Sequence, residues 1–400
     1  MFGKKTKNQR VYLDWAAATP LLPEAKAAMV PYLSDSYGNP SAIHQEGMIA
    51  RRGVELAREQ LARAVQVRPE YVTFTAGGTE ANNLAILGVV KKMEAVGRPY
   101  SEMEVITTRI EHPSVLSTVE ELSRLGVVIK FVSVDETGKV ILSELRKSLS
   151  EKTVLVTIAY ANSEIGTVQP LHSIKKAIKE TEQKFSTTVY LHVDAAQAPL
   201  WLQCQFDAVG ADFMTLDTAK CCGPKGVGIL IRSHRAEITA VTFGGGQESG
   251  LRPGTENVAG IVGAGVAIEW AQAGWRERAE LVCAVRDQAI EYIQTKIPAA
   301  TLNGATGEGR IANNINISVP GLDTEFTSVI LDKEGFAVST KSACSGAGGG
   351  ESVVVKEITN DPARATSTLR ITLGPDTKTE DLEILTEVLK KHIDKMSEIL

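Results

Sequence analysis

No long apolar run interrupts this 400-residue chain. The longest, Val258 to Ile268, falls far short of the ~20 residues that a membrane-spanning helix needs. Positive charge is not in excess: 43 Lys and Arg stand against 48 Asp and Glu, a net charge of −5. A nucleic-acid binder more often carries a basic surplus. The basic N-terminus, MFGKKTKNQR, is followed by no apolar signal region, so the chain is expected in the cytoplasm, with neither a membrane nor a nucleic acid as partner. Cysteine is sparse and odd in number: Cys204, Cys221, Cys222, Cys283 and Cys344. That is a poor disulfide framework. Without a CxxC pair or a His pair at zinc spacing, no metal site is expected. The nucleotide fingerprints GxGxxG and GKS/T are missing as well, which argues against a nucleotide site.

What remains is an ordinary globular composition, 43% apolar and 23% charged, long enough for two or three domains. Short apolar runs predict strands at Tyr71–Thr75, Glu104–Thr108, Val127–Val132, Val154–Tyr160, Val189–Val193, Phe213–Leu216 and Val227–Ile231. Amphipathic stretches between them predict helices at Thr79–Val96, Pro113–Leu125 and Leu171–Gln183. This alternation predicts an α/β fold, with a mostly parallel central sheet covered by helices. Past residue 256 the texture changes to helices at Glu256–Ala273, Arg276–Lys296 and Lys378–Leu400, with strands near Asn314–Ser318 and Leu369–Thr372. The expected division is a large domain over 15–260 and a smaller α+β domain over 1–14 and 261–400.

Several residues could carry chemistry. Asp194, in YLHVDAAQA, directly follows an apolar strand, where open α/β sheets bind ligands, but a helix N-cap is the simpler reading of such an acid. Lys220, in TLDTAKCCGPKGVG, follows the next strand and precedes a Gly/Pro turn. A partly desolvated lysine there is a Schiff-base candidate, and a surface lysine is the alternative. Together the pair suggests a pyridoxal phosphate (PLP) site, which needs a lysine for the aldehyde and an acid for the pyridine nitrogen. FTAGGTEANN runs from a strand through glycines into a helix whose N-terminus offers N–H groups to a phosphate; a tight turn explains it equally well. His112, in RIEHPSV, could stack on a ring or cap a helix. Cys344 sits among small polar residues before a Gly-rich stretch, Ser345 to Gly350, as a nucleophilic thiol requires. Cys221 and Cys222 read as packing residues. Arg370, in TLRITLG, could clamp a carboxylate or pair with a structural acid.

Taken in order, VYLDWAAATP, YGNPSAIH, FTAGGTEANN, IEHPSV, NSEIGTVQP, HVDAAQA, KCCGPKG, GGGQESGLRPGTEN, KSACSGA and LRITLG span nearly the whole chain. This series resembles the group I cysteine desulfurases, PLP enzymes of fold-type I in the class V aminotransferase family, which supply sulfur for iron–sulfur clusters. The resemblance implies a role for each matching residue. Lys220 would hold the cofactor and take the substrate α-proton. Asp194 would face the pyridine nitrogen, Gln197 the ring hydroxyl, and His112 the ring face. Gly78 and Thr79 would hold the phosphate, and Thr255 would reach the phosphate of the neighbouring subunit in a homodimer. Arg370, Asn162 and Ser163 would bind L-cysteine. Cys344 would take its sulfur as a persulfide, leaving L-alanine, and pass it to an iron–sulfur scaffold or another acceptor for cluster or thiolation pathways.

Three positions depart from that pattern. The family usually reads Ser-Gly-His-Lys where this chain has Asp217-Thr218-Ala219-Lys220, and a second Asn where this chain has Ser163. A carboxylate facing a phosphate at ~4 Å costs on the order of 4 kcal/mol at an effective dielectric near 20. Asp217 therefore turns away, carries a proton, or leaves the phosphate to Thr218. Alongside the desulfurase stand two other readings: another PLP enzyme of this fold, such as a selenocysteine lyase or a transaminase, and a non-catalytic sulfur-relay protein with a weakened cofactor site.

Overall fold

The computed structural model describes residues 10–340 and 350–397. The elements run β1 (Val11–Tyr12), α1 (Pro23–Met29), α2 (Gln45–Val65), β2 (Val72–Thr75), α3 (Gly78–Ala95), β3 (Glu104–Thr107), α4 (Pro113–Arg124), β4 (Val128–Phe131), α5 (Leu142–Ser148) and β5 (Thr153–Ala159). Next come α6 (Leu171–Phe185), β6 (Tyr190–Asp194), α7 (Phe206–Val209), β7 (Phe213–Asp217), β8 (Gly228–Arg232), α8 (Val258–Ala273) and α9 (Trp275–Lys296). The chain closes with β9 (Thr301–Leu302), β10 (Asn314–Ser318), α10 (Thr324–Lys333), β11 (Phe336–Ala337), α11 (Val353–Thr359), α12 (Pro362–Thr366), β12 (Thr368–Thr372) and α13 (Thr379–Ser397).

Among the described residues the main sheet has seven strands in the order β2-β8-β7-β6-β5-β3-β4. It is parallel except for β8, which runs antiparallel to both neighbours. The fold is therefore α/β, as the alternation of strands and helices predicts. The strands β2, β3 and β6 are buried along their whole length because helices cover both faces. Strand β4 lies at the edge, is only partly buried, and carries Lys130, which pairs with Glu104 at 2.6 Å. Helix α6 buries Leu171, Ile174, Ala177, Ile178 and Thr181, one stripe at helical spacing. Helix α8 is apolar on most sides and packs along α1 and α2.

A separate antiparallel sheet, β12-β10-β9, holds the C-terminal region together with α9 and α13, and β11 pairs with β1 from the chain start. The reversed strand β8 crosses close under the turn before α3. A Cβ added at Gly228 would lie 2.2 Å from the backbone of Gly77, so only glycine fits this crossing. The carboxyl ends of β2, β3, β5, β6 and β7 thus meet at one edge of the sheet, where an open α/β fold forms its crevice.

Candidate active site

That crevice is a cavity of about 170 Å³. Gly78, Thr79, His112, Asn162, Ser163, Asp194, Gln197, Asp217, Lys220 and Arg370 all line it. Of the residues predicted from sequence, Thr255 is not among them; it sits exposed on the loop before α8. Cys344 and the stretch Ser345–Gly349 lie outside the described residues.

Asp194 ends β6 and is buried. One carboxylate oxygen accepts from the backbone N–H of Ala196 at 3.0 Å, the local turn that a capping acid makes. The other accepts from Asn82 Nδ2 at 2.8 Å. No helix follows, since the next one, α7, begins only at Phe206, so the N-cap reading of this acid is corrected: it closes a turn and lines the cavity. Lys220 ends the helical turn after β7, and its Nζ donates to the carbonyl of Ala17. Gln197 Nε2 donates to the carbonyl of Ala16 at 2.9 Å. Ala16 and Ala17 thus line the cavity and touch both side chains.

His112 caps α4, whose first residue is Pro113. Its Nδ1 accepts from the Ser114 N–H at 3.1 Å, which leaves the proton of the neutral ring on Nε2. Burial depresses its pKa and the Lys220 charge adds to this, against the opposing charges of Asp194 and Asp217. Beside it Glu111 is buried, accepting from Thr108 Oγ1 at 2.7 Å and from the Ala159 N–H at 2.8 Å. Burial, reinforced by the Asp194 charge, pushes its carboxyl up to about 8.

Arg370, on β12, is buried. It donates through Nη2 to Asp14 at 2.9 Å and through Nη1 to the carbonyl of Ser163 at 3.0 Å. Its Nε has no partner although buried. The structural-acid reading is met, since Asp14 holds the guanidinium, and one donor stays without a partner. The Asn162 amide folds its own turn, donating to the Ile110 carbonyl at 2.8 Å and accepting from Glu164 and Ile165 N–H groups at 2.9 and 3.0 Å. The C-terminal region grips this turn by its carbonyls. Asn314 and Asn316 each donate to the Glu164 carbonyl at 3.0 Å, and Arg310 donates to that of Ile165 at 2.8 Å.

Asp217 does not turn away from the glycine turn that opens α3. Its Oδ1 accepts from the Ala219 N–H at 3.0 Å and its Oδ2 from the Gly78 N–H, the first of α3, at 3.3 Å. Nor does Thr218 offer a substitute donor. Its hydroxyl is buried and donates at 2.5 Å to the Pro224 carbonyl and at 2.9 Å to that of Val227. The Cys221 thiol is buried against the carbonyls of Asp217 and Thr218, both at 3.6 Å, and burial raises its pKa well above the usual thiol range. Cys222 is buried as well.

Sequence reasoning did not single out Asp14, Asn82 or Glu111. Asn82 was within reach, because it lies one helical turn after Thr79 on the same face. It holds Asp194 and Ser114 together while its own Oδ1 is buried without a partner.

The residues fit the ring half of PLP. A buried acid, a lysine and an imidazole all line the cavity, and unpartnered buried polar atoms of Asn82 and Arg370 remain. At the phosphate half, α3 points its N-terminus inward but holds a carboxylate of the chain's own.

The class-V aminotransferase family profile matches residues 11–385. The cysteine desulfurase IscS of Dictyoglomus turgidum is 38% identical over 98% of this chain and 96% of its own length. A solved NifS-like protein superposes with a TM-score of 0.88 at 31% identity, covering 96% of this chain and all of that one. SspA, solved in complex with cysteine, superposes with a TM-score of 0.77 at 30% identity over 91% of this chain and 99% of its own. On its sequence, its fold and its lysine–aspartate cavity, the chain belongs to the class-V aminotransferase family, as a PLP-dependent enzyme of the cysteine desulfurase branch.

Proposed function

We propose that this cavity takes L-cysteine, releases L-alanine and leaves the sulfur as a persulfide on Cys344 for transfer to an acceptor protein. The convergence of Lys220, Asp194, His112 and Arg370 on one buried cavity carries this reading. PLP, when bound, supplies an electron sink for charge developing at the amino acid's α-carbon. Lys220 would hold the cofactor and move the α-proton at Nζ. Asp194, fixed by Asn82, would face the pyridine nitrogen. Gln197 would exchange the Ala16 carbonyl for the ring hydroxyl. His112 would stack on the ring and exchange protons at Nε2. Arg370, oriented by Asp14, would offer Nε to the substrate carboxylate. Ser163 and Asn162 would shape the substrate side, and Gly78 and Thr79 the phosphate side. The Cys344 thiolate would attack the substrate sulfur: an S–S bond forms as the Cβ–S bond breaks, and the carbon gains a proton to become alanine's methyl group.

Several coarser features belong to the same reading. The acceptor would be an iron–sulfur scaffold or another sulfur-acceptor protein, and the enzyme would work in the cytoplasm. Among the described residues no helix is long and apolar enough to cross a membrane. The enzyme would be a homodimer in which Thr255 reaches the neighbouring phosphate. Val30, Leu33, Tyr37, Ile43 and Met48 are exposed along one stretch of chain, an apolar surface that a second copy would cover. The proposed division remains 15–260 against 1–14 with 261–400, although the packing of α8 on α1 and α2 favours a break nearer Gly274.

Two variants test the chemistry. Lys220→Ala should abolish alanine and sulfide production, and turnover in that variant would refute the assignment of the lysine. Cys344→Ser should still bind cysteine while its turnover collapses, because a hydroxyl is a far poorer nucleophile toward sulfur than a thiolate. Mass spectrometry of the unaltered protein after cysteine treatment should locate the extra sulfur on Cys344. Sulfur on Cys221 or Cys222 instead would sink this step.

A further inference from the structure

The first N–H groups of a long helix attract anions because they lack partners within the helix and sit at the positive end of its dipole. Helix α3 runs 18 residues from Gly78 and points this end into the cavity. In this chain the first of these groups is already taken from within. Asp217 Oδ2 accepts from the Gly78 N–H at 3.3 Å, and Glu80 accepts from the Ala76 N–H in the turn before it. The fit around Asp217 is close. A Cβ added at Gly78 would lie 3.2 Å from both the Asp217 Cβ and its Oδ2. The second Asp217 oxygen is tied to the Ala219 N–H, so the carboxylate bridges the end of β7 and the start of α3. Around it, Ala219 has no side-chain donor, and the Thr218 hydroxyl is turned to the Pro224 and Val227 carbonyls.

We propose that Asp217 is an internal stand-in for the cofactor phosphate, so that this chain discriminates little between PLP and its phosphate-free form, pyridoxal. The inference rests on the PLP assignment above. An incoming phosphate must displace Asp217 from the Gly78 N–H or lie against it as a second anion, and either cost offsets the gain from the helix end. Pyridoxal carries a hydroxyl at that position. A hydroxyl donates to a carboxylate, so Asp217 can stay where it is and gain a hydrogen bond. The ring-side contacts through Asp194, Gln197, His112 and Lys220 are common to both forms and set a shared affinity.

The test uses the full-length protein stripped of cofactor, titrated separately with PLP and pyridoxal. Binding is followed by the visible band of the lysine-bound aldehyde and by tryptophan fluorescence. The native protein should prefer PLP by less than about tenfold in Kd. Asp217→Ser should tighten PLP by at least about tenfold, about 1.4 kcal/mol, and leave pyridoxal unchanged or weaker. Inorganic phosphate should compete with PLP in Asp217→Ser and leave the native protein's PLP binding unaffected. Asp217→Asn keeps the shape and removes the charge, and it should move PLP affinity the same way; it carries the test if the serine variant fails to fold by circular dichroism. A native preference for PLP above about tenfold, or PLP affinity unchanged in both variants, overturns the proposal and leaves the cofactor assignment standing. A protein that forms the band with neither aldehyde overturns both.

Discussion

Glu111 is the residue whose charge state the fold controls most visibly. Its carboxyl sits near 4.5 when exposed and is pushed up to about 8 in the folded protein, chiefly by burial. The native state therefore binds a proton that the unfolded chain releases between these values. Stability from this group is complete below about pH 4.5 and is lost as pH rises through about 8. Glu111→Gln cannot ionise and still offers an acceptor to the Ala159 N–H. Its melting temperature should decline less than that of the native protein from pH 5 to about 8.5. Identical slopes in the two proteins would show that other groups carry the dependence. Asp14 acts at the same scale, on the arginine rather than on the substrate. Asp14→Asn keeps an acceptor for Arg370 Nη2 and removes a competing anion, so the KM for cysteine should stay or fall. Asp14→Ala releases the guanidinium, and KM should rise about tenfold, the effect of losing one charge-assisted hydrogen bond. A rise of equal size in both variants would refute an orienting role.

At the scale of elements, the turn from Asn162 to Gly166 is the joint between the main sheet and the C-terminal region. Its carbonyls at Ser163, Glu164 and Ile165 are held by Arg370, Asn314 with Asn316, and Arg310. Asn316 is fully buried and also accepts from Asn303 Nδ2 at 2.8 Å. Asn316→Leu leaves buried polar groups with fewer partners, at a cost of about 1–3 kcal/mol in urea unfolding. Because the turn also orients Arg370, KM for cysteine should rise more than kcat falls. Unchanged stability and KM would refute this role. The strands around the joint were legible from sequence to within a residue or two, because fully buried strands read as unbroken apolar runs. The reversed direction of β8 was not legible, since apolarity carries no sense of direction. Helix α2 also escaped notice: its many charged residues and its glycines at 47 and 53 blur the apolar stripe that Val54, Leu61 and Val65 form once packed on α8. Lys220, Asp194 and His112 were legible as strand-end residues. The grip on the 162–166 turn was not, because its donors come from residues 310 to 370 and only the folded chain brings them there.

At the scale of the whole molecule, the proposed second copy would cover the apolar stretch from Val30 to Met48 and bring the exposed Thr255 to its neighbour's site. Light scattering should give twice the chain mass. Ile43→Glu, at a position 90% exposed in the single chain, should shift the protein toward one chain per particle and weaken its hold on PLP. A dimer unaffected by this charge would move the interface elsewhere. The pairing of Asp14 with Arg370 links residues 356 positions apart. It has a consequence for the chain while it is being made. The ribosome releases the main sheet long before β12 emerges, so a prematurely ended chain would carry the sheet's strands without the arginine and without Leu369 and Ile371, which β12 adds to the core. Such a fragment would own the lysine and lack the clamp, and it would compete for cofactor without turning over substrate. The order of synthesis would thereby keep the chemistry silent until β12 has bridged to Asp14, just past the first strand.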